Sequence, residues 1–179
     1  MSKPGFGVVL GSYKGVEGFS NRKAGWGAGP NEVNGHFTGY KYQCVEYARR
    51  WLILTKSLTF ESIDCAYHIF ELDRVFNIHT QEPSPMLAIC NGSNIAPVAD
   101  GILIYKKGPG VPWGHVAVIT EVSIENQFVR IAEQNEEDRY WPGNYARQLR
   151  LEIGDGKYWI RDKYQILGWM IYENLENLG

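Results

Sequence analysis

Gly39-Tyr40-Lys41-Tyr42-Gln43-Cys44-Val45-Glu46-Tyr47-Ala48-Arg49-Arg50-Trp51-Leu52 carries a cysteine to the point where a glycine-bearing loop gives way to a helical run. From Cys44 to Lys56 there is no Gly or Pro, and Val45, Ala48, Trp51, Leu52 and Thr55 recur at intervals of three and four. That spacing marks one buried face of a helix and puts Cys44 in its first turn. Unpaired backbone N–H groups and the positive end of the helix dipole point at a side chain so placed, and a thiolate is the form they favour. A free cysteine is ordinarily a small buried hydrophobe, so Cys44 becomes a candidate nucleophile only through a partner elsewhere in the chain.

The composition narrows the classes. With 179 residues, 44% hydrophobic and 21% charged, the chain is expected to form one globular domain, residues 1–179. Eighteen basic against twenty acidic residues give a net charge of -2, which offers no electrostatic footprint for nucleic acid or an anionic membrane. Met1 to Gly7 lacks the apolar stretch of a secretory signal, and the apolar runs are too short to span a bilayer. Cys44, Cys65 and Cys90 are odd in number with no C-x-x-C spacing, so neither a disulfide framework nor a zinc site is expected, and no metal. These features point to a soluble, cytoplasmic protein.

Outward from the cysteine helix, the polar, glycine-dense segment from Gly15 to Gly39 reads as a long loop, either functional or partly mobile. Trp26, His36, Phe37 and Tyr40 are placed either over a cleft beside Cys44 or as anchors for that loop. Residues 63 to 76 read as a second helix capped by Asp64, with Cys65 and His68 as structural or surface residues. Residues 80 to 100, with Pro83, Pro85, Pro97 and Asn91-Gly92, form a loop-rich crossing. From Gly101 the pattern turns β. Short β-branched or aromatic runs at 102–105, 116–120, 128–132, 149–153, 158–160 and 167–172 have connections that favour an antiparallel sheet. Helices first and strands after give an α+β domain with the cysteine helix on the sheet.

His115 follows Gly114 and opens the strand that begins at Val116, where a histidine faces either a cleft or the sheet edge. The next strand ends in Ala132-Glu133-Gln134-Asn135, which puts Glu133 and Asn135 on one face. An odd-length turn near Glu125-Asn126, or a bulge, sets His115 across from Asn135 and on the face of Glu133; a two-residue loop without a bulge separates them. A carboxylate or amide that accepts from one ring nitrogen leaves the other to exchange a proton with sulfur. Cys44, His115 and Glu133 or Asn135 have the types and order for thiol acyl transfer.

Three segments then carry a resemblance: Tyr42-Gln-Cys-Val-Glu-Tyr-Ala-Arg-Arg-Trp51, Gly114-His-Val-Ala-Val-Ile119 and Val129-Arg-Ile-Ala-Glu-Gln-Asn135. They are similar to the motifs of the CHAP amidases, a papain-like α+β group, and the likeness is closest to the amidase domain of bifunctional glutathionylspermidine and trypanothione synthetase/amidases. It extends over nearly the whole chain, through Phe6 to Gly11, Ala96 to Tyr105, Tyr140-Trp-Pro-Gly-Asn-Tyr-Ala-Arg147 and Ile166 to Met170. The resemblance implies hydrolysis of the amide between the glycine carboxyl of glutathione and spermidine, without a cofactor. Cys44 would be the nucleophile, His115 the base and then the acid, and Glu133 its orienting group. Asn135 would assist, and Gln43 with the Cys44 N–H would hold the oxyanion. Arg49 matches a position near the substrate, or pairs with a surface carboxylate. Trp141 and Tyr145, with Tyr140, either wall the cleft or pack the sheet edge.

Glu136-Glu137-Asp138 would steer a cationic polyamine, or form a solvated acidic loop. Members of the group carry an ATP-grasp synthetase domain after the amidase, and this chain ends at Gly179, so a stand-alone hydrolase or isolated amidase domain that needs neither ATP nor magnesium is expected. A peptidoglycan amidase or endopeptidase is the alternative within catalysis. A thiol-binding or redox-sensing module that forms a mixed disulfide at Cys44 is the alternative outside it.

Overall fold

The computed structural model describes residues 4–21, 28–173 and 176. The chain opens with two antiparallel hairpins, β1 (Val9–Tyr13) with β2 (Val16–Phe19) and β3 (Pro30–Val33) with β4 (His36–Tyr40). Both turn on two residues with positive φ, Lys14-Gly15 and Asn34-Gly35, the backbone that matches the twist of a tight hairpin. The segment expected to be a long loop thus contributes β2, β3 and most of β4; its Asn34-Gly35 turn signal is weak because the flanking strands carry few apolar residues. Trp26 lies outside the described residues.

Next comes α1 (Cys44–Lys56), which ends at Ser57 in the left-handed conformation, where the Ser57 N–H bonds back to the carbonyls of Ile53 and Leu52. The region expected to be a second helix is different. Only Ala66–Glu71 is helical, as a 3-10 turn, and Arg74 to Asn77 is extended. Ala66 and Ile69 are buried by that short stretch, and Val75, β-branched, goes into a strand. β5 (Leu58–Thr59), β6 (Arg74–Asn77) and β7 (Pro83–Pro85) make a small sheet in that order. Pro83 and Pro85 sit on its edge strand, where missing N–H groups cost no ladder bond.

The remaining strands are β8 (Leu87–Cys90), β9 (Ile102–Tyr105), β10 (His115–Ser123), β11 (Phe128–Ala132), β12 (Arg147–Gly154), β13 (Lys157–Arg161) and β14 (Ile166–Ile171). They form one antiparallel sheet in the order β13-β12-β11-β10-β9-β14-β8. All six expected strands are present, and β8 is an addition from the supposed crossing. The sheet curls into a half-barrel until its edges meet: the Gly92 N–H donates to the Tyr158 carbonyl at 2.7 Å, and Asn91 bridges both backbone groups of Ile160.

Alternation along the strands divides the core in two. On one face Val116, Val118, Ala132, Ile102 and Met170 join Tyr47, Ala48, Trp51 and Leu52 of α1. On the other, Leu103, Ala117, Ile119, Ile131, Leu151 and Trp169 pack among themselves, and the curl encloses them. An α+β class thus holds, with more β than expected and α1 as the one α-helix among the described residues.

Gly11 and Gly18 face each other across the first hairpin, and the Trp141 ring lies on both. A Cβ on Gly18 would collide with Trp141 Cζ2, and one on Gly11 would stand 2.6 Å from Trp141 Cβ. Gly18→Ala should therefore cost about 1–3 kcal/mol by overpacking, read as a lowered urea midpoint. A variant as stable as the parent would show that the ring does not rest there.

Candidate active site

Cys44 stands at the first position of α1 and is 9% exposed. His115 opens β10, opposite Tyr105 of β9. Before it, Gly114 has a φ of +69°, and a Cβ there would come within 2.7 Å of the Tyr105 carbonyl oxygen and 2.9 Å of Tyr67, so the approach to the strand requires glycine. The register between β10 and β11 shifts between Ile119 and Glu121, a bulge across a loop of residues 124–127. That irregularity puts positions 115 and 133 on one face. His115 Nε2 donates to Glu133 Oε2 across 2.7 Å, with His115 3% and Glu133 2% exposed.

The Cys44 sulfur lies near enough to the imidazole to act on its charge. With Nε2 turned to Glu133, Nδ1 is the nitrogen left for sulfur. Burial alone would drive the proton off the ring, but Cys44 and Glu133 together outweigh it and raise His115 to about 10. Burial likewise opposes charge on Glu133, yet His115 and Arg147 hold its carboxyl down at about 2. At neutral pH the arrangement is an imidazolium clasped by a carboxylate, beside a sulfur.

Arg147 grips the same carboxylate through Nε on Oε1 at 2.5 Å and Nη2 on Oε2 at 3.2 Å, while its Nη1 reaches Asp162 at 2.8 Å. A second buried network fastens the helix start to the end of β11. The Gln134 amide donates to the Gln43 carbonyl at 3.2 Å and to Glu46 at 2.8 Å, and accepts from the Phe19 N–H and from Arg50. Glu46 also accepts from Arg50, Asn31 and Thr38, and Arg50 donates to the Glu17 carbonyl, which ties both hairpins to α1. Asn135, with φ +61°, donates to Gln43 Oε1 at 2.7 Å.

The other candidates scatter. Trp141 lines a depression of about 260 Å³ with Glu133, Glu136, Tyr140 and Arg147, and meets Tyr47 edge to face. Glu136 and Glu137 are paired with Lys163, and Asp138 accepts from Ser20 and the Asn21 N–H, so this acidic run is engaged rather than freely solvated. Tyr145 covers the Arg130 guanidinium at 4.4 Å and does not line the depression. Arg49 is buried, its donors directed to the carbonyls of Thr38 and Glu61 and its guanidinium over Phe60, and burial lowers it to about 10. Among the described residues it pairs with no carboxylate, so it is not the surface ion pair that was one reading of it. Cys65 and Cys90 are free thiols, and among the described residues no His, Cys, Asp and Glu group is arranged to hold a metal. No helix of the described residues is long and apolar enough to cross a membrane.

Sequence reasoning missed Arg147, Asp162, Gln134 and Glu46. Gln134 had a signal, since it lies between two residues singled out, but nothing local linked Arg147 to Glu133 across a fourteen-residue separation.

With this geometry in view, comparison with known proteins is direct. The CHAP domain pattern matches residues 35–135, a span from the second hairpin through Cys44 and His115 to Asn135. Trypanothione synthetase from Crithidia fasciculata is 36% identical over 98% of this chain and 28% of its own length. The bifunctional glutathionylspermidine synthetase/amidase of Escherichia coli is 37% identical over 78% of this chain and 23% of its own. A glutathionylspermidine synthase, also from Crithidia fasciculata, is 31% identical over 74% of this chain and 19% of its own. The chain spans about a quarter of the length of the relatives it matches. On these matches, the chain belongs to the CHAP domain family.

Proposed function

We propose that this chain is a cysteine-dependent amidase with a papain-like arrangement, which cleaves glutathionylspermidine or a related glutathione–polyamine conjugate in the cytoplasm. The hydrogen bond of His115 to Glu133, with Cys44 acting on the charge of the same ring, carries this reading, and the named relatives indicate the substrate class.

The sulfur of Cys44 attacks the glycyl carbonyl carbon, and the C–N electron pair leaves with the amine, which takes its proton from His115. The product is a thioester between Cys44 and glutathione. His115, now neutral, removes a proton from water, which attacks the thioester and frees glutathione. The oxyanion formed in each step needs donors already in place. The Cys44 backbone N–H lies at the open end of α1, and Gln43 supplies an amide whose oxygen is occupied by Asn135, which leaves its Nε2 hydrogens to donate. The carboxylates of Glu136 and Glu137, shared with Lys163, line the depression that reaches Glu133 and offer anionic groups for a polyamine.

Two measurements test the reading. Incubated with glutathionylspermidine and, separately, with peptidoglycan fragments, the chain should release glutathione only from the conjugate. Cys44→Ala should lower kcat by at least about 10³-fold while the conjugate Kd stays within a few-fold. Turnover near the parent rate, or cleavage of the wall fragments alone, would remove it.

The second concerns pH. Since His115 must be protonated to release the amine, kcat/KM should fall as pH rises through about 10. Glu133→Gln removes the charge that raises the imidazole, so that basic limb should move down by roughly one to three units. A limb that stays where it was would mean Glu133 does not govern the ring.

A further inference from the structure

Arg147 opens β12 opposite Ile131 of β11, and Glu133 lies two residues beyond Ile131 on the same face. The guanidinium fork matches both carboxylate oxygens. Of the two, Oε2 is also the oxygen that accepts from His115. The rest of the guanidinium faces backwards. Nη1 donates to Asp162 at 2.8 Å, Nη2 to the Tyr105 hydroxyl at 3.3 Å, and that hydroxyl donates to Asp162 at 2.8 Å. Tyr105 lies under the His115 ring as well, with centroids 5.3 Å apart.

A lone carboxylate at this depth has two ways to fail its neighbour: it can rotate about its terminal bond, or it can take up a proton. A bidentate fork blocks both. We propose that Arg147 is a positioning residue, whose guanidinium, anchored from behind by Asp162 and the Tyr105 hydroxyl, holds the Glu133 carboxylate charged and in the plane that aims Oε2 at His115. This rests on the amidase reading above for the reaction it serves, but the geometry is independent of the substrate. A lysine would supply the charge without the fork.

The charged groups that face this carboxylate are His115 and Arg147 in contact, with Glu136, Glu137 and Arg139 around the adjoining depression of about 260 Å³. Glu136 and Glu137 are already paired with Lys163. Because the depression reaches both Glu133 and Arg147, truncation of Arg147 leaves a space joined to it that a guanidinium ion from solution can enter.

The test uses Arg147→Gln, Arg147→Lys and Arg147→Ala in a Cys65→Ser/Cys90→Ser background, with two readouts. One is the rate of Cys44 alkylation by iodoacetamide against pH, which requires no substrate. The other is kcat and KM on glutathionylspermidine. For Arg147→Gln, kcat should fall roughly 10²-fold with KM nearly unchanged. Both profiles should then show the acid-side titration of Glu133 moved up from the parent's value of about 2. Arg147→Lys should lose kcat without that upward move. Guanidinium at sub-denaturing concentration should restore part of the Arg147→Ala rate and none of that of Glu133→Gln. Variants that melt earlier yet keep the parent kcat and both pH profiles would reduce Arg147 to a brace of the fold, as would absence of rescue together with a rise in KM alone. If the parent itself leaves the conjugate intact, the amidase reading fails, and the alkylation profiles still decide the role of Arg147.

Discussion

A carboxylate removed from water is tolerated only where cations meet it, and Glu133 is met on both sides, by the His115 imidazolium and the Arg147 guanidinium. Most of what is distinctive in the structure serves that meeting. The β10 bulge brings positions 115 and 133 to one face, and the register of β12 delivers Arg147 to the far oxygen. Gly114 lets the chain enter β10 against the Tyr105 carbonyl. Any of these altered by one residue would leave a buried charge without its partner, which costs far more than the pair itself contributes.

The second buried network solves a different problem. A nucleophile on a helix and a base on a sheet must keep a fixed separation, yet apolar packing alone is indifferent to small slides along the helix axis. Gln134, next in sequence to Glu133, uses all of its amide's capacity to tie the Gln43 carbonyl and Glu46 to Arg50 and the first hairpin. The two hairpins, which look dispensable as glycine-rich sequence, supply Asn31, Thr38 and the Glu17 carbonyl as partners for the charges that α1 buries. They are part of how Cys44 is located.

How far sequence alone could reach follows from which signals are local. The α1 helix, the six later strands and the types and order of Cys44, His115 and Glu133 are written in short-range periodicity and motif. The bulge was a stated condition rather than a deduction, because strand register depends on a loop length that residues 123–128 do not disclose. The helix expected over 63–76 was cut short because tertiary pairing of Arg74 to Asn77 with Leu58-Thr59 and Pro83 to Pro85 overrode a weak apolar spacing. Arg49 looked like a surface residue because helical periodicity cannot show that β4 and the segment near Glu61 close over it. Arg147 had no local sign at all, since its partner is chosen by the register of two strands joined by a long excursion.

The central claim is that a buried imidazolium at 115 owes its charge to the carboxylate at 133 and the sulfur at 44. An NMR titration of the ring nitrogens of His115, told apart from His36, His68 and His79 by single substitutions, measures that charge directly. The account predicts that both ring nitrogens stay protonated until the pH approaches about 10. A ring that titrates near the ordinary histidine value of 6.5 would contradict it.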